Sequence, residues 1–371
     1  MLIIICCIYL LILAVFFVAL LQPVSSSDSS YHWKASIIIA ARNEEENIGH
    51  CLESLISIDY PSDLLEIIVV DDLSQDRTTT IVLEFAAHHP GIRLVSSTED
   101  RNDHLVGKTR ALSIGIAMAA GEFIFLTDAD CQVPATWVSE MIKYYEDERV
   151  GMVAGFTSLS GGNLFGRIQA LDWFTLFSFA AASARLGIPS TAVGNNLSLR
   201  RAAYDAVGGY GKIPFSVTED LALVRAMTSA TSYTLAFSKG KRSLVHSTPC
   251  RTWQEWYRQR TRWFLGGKAL SAVSKLILLT GYAFNIVVIY LFVDGQSSLA
   301  LTLLAGKILM ETALVFPAVS RFSRISLLWI LPFFQVYFFL YVCILPLFTV
   351  FRRSVLWKGR TVAASQSKKP S

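Results

Sequence analysis

The chain has 371 residues, of which 53% are hydrophobic and 17% charged, and its formal net charge is +4. With a mean hydropathy of +0.44 it is too apolar for an ordinary soluble protein, so membrane segments are expected. The small charge gives no reason to expect nucleic acid binding, and six cysteines without a C-x-x-C pair predict neither a disulfide framework nor a zinc site.

The first element is an uncharged run of twenty residues, "LIIICCIYLLILAVFFVALL", at 2–21. It is about long enough to cross a hydrocarbon core, and no A-x-A cleavage site follows it. We therefore predict an uncleaved transmembrane anchor over 1–22 rather than a signal peptide, followed by a polar linker over 23–34. Positive charge appears only after the anchor, at Lys34 and Arg42, which predicts a cytoplasmic location for the next domain. The scattered cysteines also fit a reducing compartment.

Residues 35–250 alternate between strand-like and helix-like segments, which predicts a doubly wound α/β domain. The predicted strands are "ASIIIAA" (35–41), "EIIVVDD" (66–72), "IRLVSS" (92–97) and the run that begins "FIFL" at 123. Near-continuous apolar runs of this kind are typical of buried parallel strands. Asn43 is predicted to cap the helix after the first strand.

Carboxylates follow two of these strands, where ligands bind in such sheets. Asp71 and Asp72 end one strand, and Asp128 and Asp130 follow another with a single residue between them. Two readings of the second pair are open from the residues alone. The aspartates form a solvated turn, or they hold a hard divalent cation through carboxylate oxygens.

Two further segments carry candidate chemistry for a site that binds a diphosphate and activates a hydroxyl. Lys108 follows Gly107 at the start of a predicted helix, and could supply a positive contact. Glu219 and Asp220 precede an apolar run, and a carboxylate is the usual base for deprotonating a hydroxyl. The same two acids would also suit the first turn of a helix, so this motif alone leaves both interpretations open.

Residues 251–270 predict an amphipathic helix at the membrane interface. Aromatic side chains recur at three- and four-residue spacing from Trp253 to Phe264, and five Lys or Arg residues accompany a single glutamate. Gln259, Arg262 and Trp263 share one face, so Arg262 could reach a phosphate and Trp263 could cover an acceptor site.

Three long apolar segments, 276–293, 298–319 and 325–351, predict a transmembrane block over 276–351. With a cytoplasmic domain before them, three crossings leave the basic tail 352–371 outside, against the positive-inside rule. The last segment contains two prolines and is the candidate for a re-entrant or interfacial path. Lys307 and Glu311 are expected to neutralise each other within the middle segment.

Six motifs in this order resemble the membrane-bound glycosyltransferases of family 2, which have the GT-A fold. They are "SIIIAARNEEENI", "VVDDLSQDRT", "GKTRAL", "TDAD", "TED" and "QRTRW", spread over about residues 35–265. The resemblance implies a GT-A catalytic domain over 35–250 that uses a UDP-sugar and a divalent cation, Mn²⁺ or Mg²⁺.

The resemblance also implies roles for individual residues. Asp130 would bind the metal, Asp72 the uracil and Asp220 would be the catalytic base, with Glu219 beside it. The other implied positions are the nucleotide-sugar contacts Ala41, Arg42, Asn43, Glu44, Lys108 and Asp128, and the diphosphate and acceptor positions Gln259, Arg262 and Trp263.

The implied reaction is an inverting sugar transfer to a hydroxyl of a lipid or lipid-linked acceptor, at the cytoplasmic face of a multi-pass protein in the cell membrane. The layout is similar to that of ceramide- and carotenoid-type glucosyltransferases. The alternative is a processive polysaccharide synthase, since cellulose-, chitin- and hyaluronan-type enzymes share the Gln-x-x-Arg-Trp motif. Three C-terminal segments are few for the channel that such synthases form. A transport or scaffold protein would require the motifs to be accidental.

Overall fold

The computed structural model describes residues 2–22, 33–97, 105–352, 354–357 and 360–363. Most of the predicted linker 23–34 and of the tail 352–371 lies outside these residues. The chain divides into two compact units. The helical unit holds the described residues of Met1–Val24, Leu159–Ser190 and Pro249–Val355, and the sheet unit holds those of Ser25–Ser158, Thr191–Thr248 and Leu356–Ser371.

The elements alternate along the sheet unit and are mostly helical elsewhere. The strands are β1 (Ala35–Ala41), β2 (Leu65–Asp71), β3 (Ile92–Ser96), β4 (Phe123–Asp128), β5 (Val150–Ala154), β6 (Thr157–Leu159), β7 (Leu197–Arg200), β8 (Thr234–Phe237), β9 (Val245–Ser247), β10 (Ser354–Trp357) and β11 (Arg360–Ala363). The α-helices are α1 (Leu2–Leu21), α2 (Ile48–Ile56), α3 (Thr78–His88), α4 (Lys108–Met118), α5 (Trp137–Ile142), α6 (Leu164–Arg185), α7 (Arg201–Ala206), α8 (Gly209–Lys212), α9 (Glu219–Ala230), α10 (Trp253–Gly267), α11 (Ala272–Val293), α12 (Ser297–Arg321) and α13 (Leu331–Thr349). Short 3₁₀ helices cover Lys143–Glu146, Lys241–Ser243 and Ile325–Ile330.

The sheet unit is built on a seven-stranded mixed sheet with the order β3-β2-β1-β4-β7-β5-β8. The four predicted strands β1 to β4 are parallel neighbours, as the α/β pattern predicted. The pattern gave no sign that β7 would insert antiparallel between β4 and β5. Two small sheets, β6-β9 and β10-β11, complete the strand pairings of the described residues.

Helix α4 packs directly on the middle of this sheet. The side chains of Ile37, Ile38 and Ile39 on β1 are fully buried, and burial of each such side chain contributes about 1.5–3 kcal/mol. Gly115 permits the close approach of α4, because a Cβ atom there would lie 2.4 Å from Cγ2 of Ile38 and 3.0 Å from Cγ2 of Val70.

The predicted capping role of Asn43 is wrong. Helix α2 begins at Ile48 with Asn47 at the N-cap, so Asn43 lies in the loop before it. The backbone of Asn43 has a φ of 50°. Asparagine tolerates this left-handed conformation better than most residues, and its side-chain oxygen accepts a hydrogen bond from the backbone N–H of Gln75 at 2.8 Å. The residue therefore shapes a loop instead of starting a helix.

Four helical stretches of the described chain are long and apolar enough to cross a membrane: Leu2–Leu21, Ala272–Val293, Ser297–Arg321 and Ile325–Thr349. Within the helical unit, α1 contacts α6, α11 and α12. The predicted neutral pair on α12 is confirmed, since Lys307 Nζ lies 2.9 Å from Glu311 Oε1 with both side chains buried. The hydroxyl of Tyr9 on α1 donates to the same carboxylate at 3.1 Å.

The last apolar stretch contains two prolines at different kinds of position. Pro332 falls in the first turn of α13, where the missing N–H removes no helical hydrogen bond, whereas Pro346 lies inside the helix near its end. The stretch starts as 3₁₀ helix over Ile325–Ile330 and continues as α13. Its orientation stays a prediction.

Candidate active site

The candidate site begins at the edge of the sheet where β1, β2 and β4 end. Ala41 pairs with Asp71 on one side of β1, and Ala40 pairs with Asp128 on the other. Because parallel strands present their carboxyl ends at the same edge, the loops after these strands converge there. The aspartates after β2 and β4 therefore belong to one edge, as the motif order suggested.

A lysine joins two of the predicted motifs at this edge. Lys108, the first residue of α4, places its Nζ 2.5 Å from Asp128 Oδ1 and 3.1 Å from Glu219 Oε1. The Lys108 side chain is only 15% exposed and that of Glu219 only 7%. Burial alone would lower the pKa of Lys108, but the charges of Asp128, Glu219 and Asp220 raise it above its ordinary value. The lysine is therefore a permanent cation among three carboxylates.

The adjacent acids Glu219 and Asp220 form the first turn of α9 and have different partners. Glu219 pairs with Lys108, whereas the carboxylate of Asp220 accepts hydrogen bonds from the backbone N–H groups of Gly194 at 3.0 Å and Leu221 at 2.7 Å. The first-turn interpretation of this motif is confirmed, whereas a role as base stays a prediction. The acids occupy the first helical turn, and they also face a buried lysine from another motif.

Asp72 lies at the same edge but in a separate, deeper cluster. Its side chain is 3% exposed, and its Oδ1 lies 3.4 Å from Nη2 of Arg110. The hydroxyl of Ser97 donates to the same oxygen at 3.0 Å. Asp72 is thus held by side chains from α4 and from the end of β3.

The predicted nucleotide contacts after β1 are tied to the loop after β2. Nη1 of Arg42 donates to the carbonyl oxygens of Asp72 at 2.5 Å and Leu73 at 3.2 Å. The backbone N–H of Asn43 donates to Ser74 Oγ at 3.0 Å, and that of Glu44 donates to Thr78 Oγ1 at 2.8 Å. The predicted contact Ala41 is buried at the end of β1. These bonds give the two loops a fixed joint shape.

Asp130 lies in the turn that follows β4. The backbone N–H of Cys131 donates to the carbonyl of Asp128 at 3.1 Å, which closes this turn. The hydroxyl of Ser247 lies 3.5 Å from one carboxylate oxygen of Asp130, and the thiol of Cys131 lies 3.5 Å from the other. The interpretation of this segment as a turn is therefore compatible with its interpretation as a metal site, because the turn leaves the Asp130 carboxylate partly exposed at the strand end.

The carboxylate of Asp130 is a suitable ligand for a divalent cation whose remaining ligands come from the substrate and water. No group of three or more His, Cys, Asp or Glu side chains suited to a metal occurs among the described residues. Mg²⁺ sites that serve phosphate substrates typically use one or two carboxylates together with phosphate oxygens and water. A single half-buried carboxylate beside a hydroxyl matches that arrangement.

Sequence reasoning missed several side chains of these clusters. Arg110 lies in the quoted motif "GKTRAL", but nothing in its spacing pointed to Asp72. Ser247 is 117 positions from Asp130, and only the antiparallel bridge between Gln132 and His246 brings β9 beside the turn. Such pairings between distant segments leave no local signal.

The remaining predicted site residues, Gln259, Arg262 and Trp263, lie on α10 in the helical unit. Oε1 of Gln259 is buried and accepts no hydrogen bond from the described part of the chain. On the same helix, Arg260 is 2% exposed and its Nη2 lies 2.6 Å from Asp172 Oδ2. The outer aromatic of the helix is Trp253, at 62% exposure.

Two family models match the chain. The model described as "Glycosyl transferase family 2" matches residues 36–208, and that described as "Glycosyl transferase family group 2" matches residues 123–361. The second match alone covers well over half of the chain.

Curated relatives agree with these matches. A probable glycosyltransferase of Bacillus subtilis, YdaM, is 31% identical over 236 residues, which cover 61% of this chain and 53% of the relative. A beta-monoglucosyldiacylglycerol synthase of Synechocystis is 29% identical over 184 residues, 49% of this chain and 37% of the relative. A poly-beta-1,6-N-acetyl-D-glucosamine synthase of Staphylococcus epidermidis is 28% identical over 228 residues, 61% of this chain and 52% of the relative. The chain thus spans about half or less of the length of these relatives.

The fold has a solved counterpart. A mannosyltransferase of Pyrobaculum calidifontis, solved in complex with GDP-Man and Mn²⁺, matches with a TM-score of 0.60 at 20% identity, over 86% of this chain and 99% of that one. This likeness, together with the mixed sheet, confirms the predicted GT-A fold. The matched family models and the ordered motifs show that the chain belongs to glycosyltransferase family 2.

Proposed function

We propose that the chain is an inverting glycosyltransferase that moves a sugar from a UDP-sugar to a hydroxyl of a membrane lipid or lipid-linked acceptor. The observation that carries this proposal is the buried contact of Lys108 with both Asp128 and Glu219. It links Asp128, at the end of β4, to Glu219, at the start of α9, which supports a single site for the donor and base candidates.

On the donor side, Asp72 would accept a hydrogen bond from the uracil, and the loops after β1 and β2 would enclose the nucleotide. The hydrogen bonds of Arg42, Asn43 and Glu44 hold these loops together, so their backbone is preorganised for a ligand. Asp128 would contact the nucleotide-sugar while paired with Lys108. UDP as the nucleotide rests on the family resemblance, whereas the mannosyltransferase above was solved with GDP-Man.

Asp130 would hold the divalent cation, with Mn²⁺ or Mg²⁺ as candidates. When bound, such a cation neutralises diphosphate oxygens and stabilises the charge that develops on a leaving diphosphate. Ser247 and Cys131 border this carboxylate and limit its rotation.

Asp220 is the better candidate for the base, because Glu219 is already paired with a buried lysine. Two backbone N–H groups orient the Asp220 carboxylate. It would take the proton of the acceptor hydroxyl as the oxygen attacks the anomeric carbon. The bond from that carbon to the diphosphate oxygen breaks at the same time. UDP leaves on the opposite face and the configuration is inverted.

On the acceptor side, Gln259, Arg262 and Trp263 would contact the diphosphate and the acceptor. Four helical stretches long and apolar enough to cross a membrane support a membrane location, and the name of the Synechocystis relative supplies a specific acceptor to test, diacylglycerol. We take the sheet unit to face the cytoplasm, where nucleotide sugars are made.

The second candidate is a processive polysaccharide synthase, favoured by the similarity to the Staphylococcus epidermidis enzyme. The two candidates predict different product lengths. Purified protein in lipid nanodiscs would be given diacylglycerol, Mn²⁺ and, in turn, UDP-glucose, UDP-N-acetylglucosamine and GDP-mannose. A monoglycosylated lipid formed from a UDP-sugar, detected by mass spectrometry, supports the proposal, whereas one formed only from GDP-mannose contradicts the UDP donor. A long polymer supports the alternative, and the Asp220→Asn variant is the inactive control.

A further inference from the structure

The helical unit contains a buried ion pair that the proposed chemistry does not use. Asp172 on α6 and Arg260 on α10 are 6% and 3% exposed at their side chains, and the closest distance between their charged atoms is 2.6 Å. Burial alone would lower the pKa of Arg260, but the charge of Asp172 raises it above its ordinary value. A buried pair of this kind seldom adds stability over well-packed apolar side chains, so a different purpose is expected.

The guanidinium of Arg260 lies over the ring of a predicted site residue. Its Cζ is 4.3 Å from the centroid of the Trp263 ring, well within the range of a cation–π contact. The ring of Trp173, the neighbour of Asp172 on α6, lies 5.9 Å from Trp263 between centroids. One turn of α6 therefore supplies a ring beside Trp263 and the ion-pair partner of the guanidinium over it.

The Asp172 carboxylate is itself fixed by a second bond. The hydroxyl of Tyr337 on α13 donates to Asp172 Oδ2 at 2.8 Å, and the same hydroxyl accepts from the indole N–H of Trp256 at 3.1 Å. The chain of contacts therefore runs from α13 through Asp172 and Arg260 to Trp263. A shift of Asp172 would be passed on to the tryptophan ring.

We propose that Asp172 and Arg260 are positioning residues that hold the Trp263 ring in the orientation that receives the acceptor. The ion pair keeps the guanidinium over the ring, with Cζ 4.3 Å from the ring centroid, and the Trp173 ring lies beside it. The inference rests on the proposed function, in which Trp263 contacts the acceptor. It predicts that loss of the pair impairs acceptor use and leaves donor use unchanged.

The test is the double variant Asp172→Leu/Arg260→Met, which replaces the ion pair by apolar side chains and keeps the site filled. Such a replacement often offsets the loss of the pair, but the Tyr337 hydroxyl also loses its acceptor, so melting of the detergent-solubilised variant should fall modestly. The cation over Trp263 is nevertheless lost. We expect the KM for diacylglycerol in mixed micelles to rise about thirtyfold, the size of one desolvated cation–π contact, with an unchanged KM for the UDP-sugar.

A second variant covers the case in which the double variant does not fold. Arg260→Lys keeps a charge for Asp172 but loses the flat guanidinium face, so the acceptor KM should again rise while melting changes little. The matched control is Lys307→Met/Glu311→Met, which removes a second buried pair among the described residues of the helical unit. Tyr9 is then left without its carboxylate partner, so this control is expected to lower melting without raising the acceptor KM.

Two failures can be told apart. If the wild type transfers no sugar from any tested donor to lipid, the proposed function fails. If the wild type is active and Arg260→Lys or the double variant keeps the wild-type acceptor KM, the function stands and the positioning role of Asp172 and Arg260 is overturned. An equal rise in donor and acceptor KM would also overturn it, because that is the result of general loosening.

Discussion

Glu219 and Asp220 are neighbours in the chain, yet one carboxylate faces Lys108 at 3.1 Å while the other accepts hydrogen bonds from the backbone N–H groups of Gly194 and Leu221. A helix turn separates side chains of adjacent residues by about 100°, so two acids in sequence need not share a task. This division gives a direct test of which acid is the base.

Asp220→Asn should lower kcat by a factor of about 10²–10⁴, since that is the usual contribution of a positioned base. The amide keeps the shape of the carboxylate but cannot take the proton. The KM for the donor should change little, and steady-state kinetics with a radiolabelled UDP-sugar measures both. Glu219→Gln is the matched comparison. A larger loss of kcat in Glu219→Gln than in Asp220→Asn would reverse the two roles.

Lys108→Met should abolish most activity and raise the donor KM. Without the lysine, Asp128 and Glu219 face each other as like charges in a partly buried site. Lys143→Met is a suitable control, because Lys143 pairs at 3.6 Å with Glu140 outside the site. Equal effects of the two substitutions would contradict the special role of Lys108.

The pH dependence of this contact has a defined sign. The pKa of Lys108 in the folded protein is raised, so the stabilisation is complete below the ordinary lysine value of 10.5 and is lost only as the pH rises through the folded-state pKa. The difference in melting temperature between the wild type and Lys108→Met should therefore be constant between pH 6 and 9. A difference that shrinks within this window would show that the lysine deprotonates there.

Removal of divalent cations should stop the reaction. Treatment with EDTA is expected to abolish transfer, and Mn²⁺ or Mg²⁺ should restore it. Asp130→Asn should raise the metal concentration needed for half-maximal activity at least tenfold, because a neutral amide is a weaker ligand for a hard cation than a carboxylate. Asp147→Asn, at a half-exposed surface position, is the control. Full activity in EDTA would exclude a metal role for Asp130.

The left-handed backbone of Asn43 can be separated from its side chain. Asn43→Gly keeps the φ of 50° accessible and loses only the bond to the Gln75 N–H, whereas Asn43→Val must also adopt a strained backbone. We expect a small rise in donor KM for the glycine variant and a several-fold larger one for the valine variant. Isothermal titration with UDP checks the order, and equal affinities would contradict it.

Two glycines on different helices are predicted to respond in opposite ways to substitution by alanine. Gly115→Ala should destabilise the protein by about 1–3 kcal/mol, because its Cβ would overlap Ile38. Gly49→Ala on α2 meets only Cγ2 of Ile81 at 4.0 Å, so it should stabilise by about 0.5–1 kcal/mol through helix propensity. Chemical unfolding in detergent measures both, and a stabilised Gly115→Ala would show that the helix can move away.

The local patterns of the sequence predicted the parallel half of the sheet closely. The run "ASIIIAA" matches β1 residue for residue, because a short, near-continuous apolar run is typical of a buried parallel strand. Strand β7 escaped prediction since "LSLR" is only four residues long, and its antiparallel direction is set by the segments on either side of it.

The residues that complete each cluster escaped for a related reason. The contacts of Asp172, Arg110 and Ser247 are with residues many positions away in the sequence. No local periodicity predicts which distant residues will meet. The prediction of a helix cap at Asn43 was wrong because asparagine is favoured both at helix caps and in left-handed loop conformations. Its roles and those of the other predicted site residues stay predictions until the variants above are measured.

The hydrogen bond between Tyr9 and Glu311 spans 302 positions and links α1 to α12. During synthesis α1 is made long before α12, and most of the sheet unit is translated before the acceptor of the Tyr9 hydroxyl exists. Lys307 and Glu311 lie one helical turn apart and can pair as soon as α12 forms. The Lys307–Glu311 pair can therefore form within α12 alone, whereas the bond from Tyr9 can form only once α12 packs against α1.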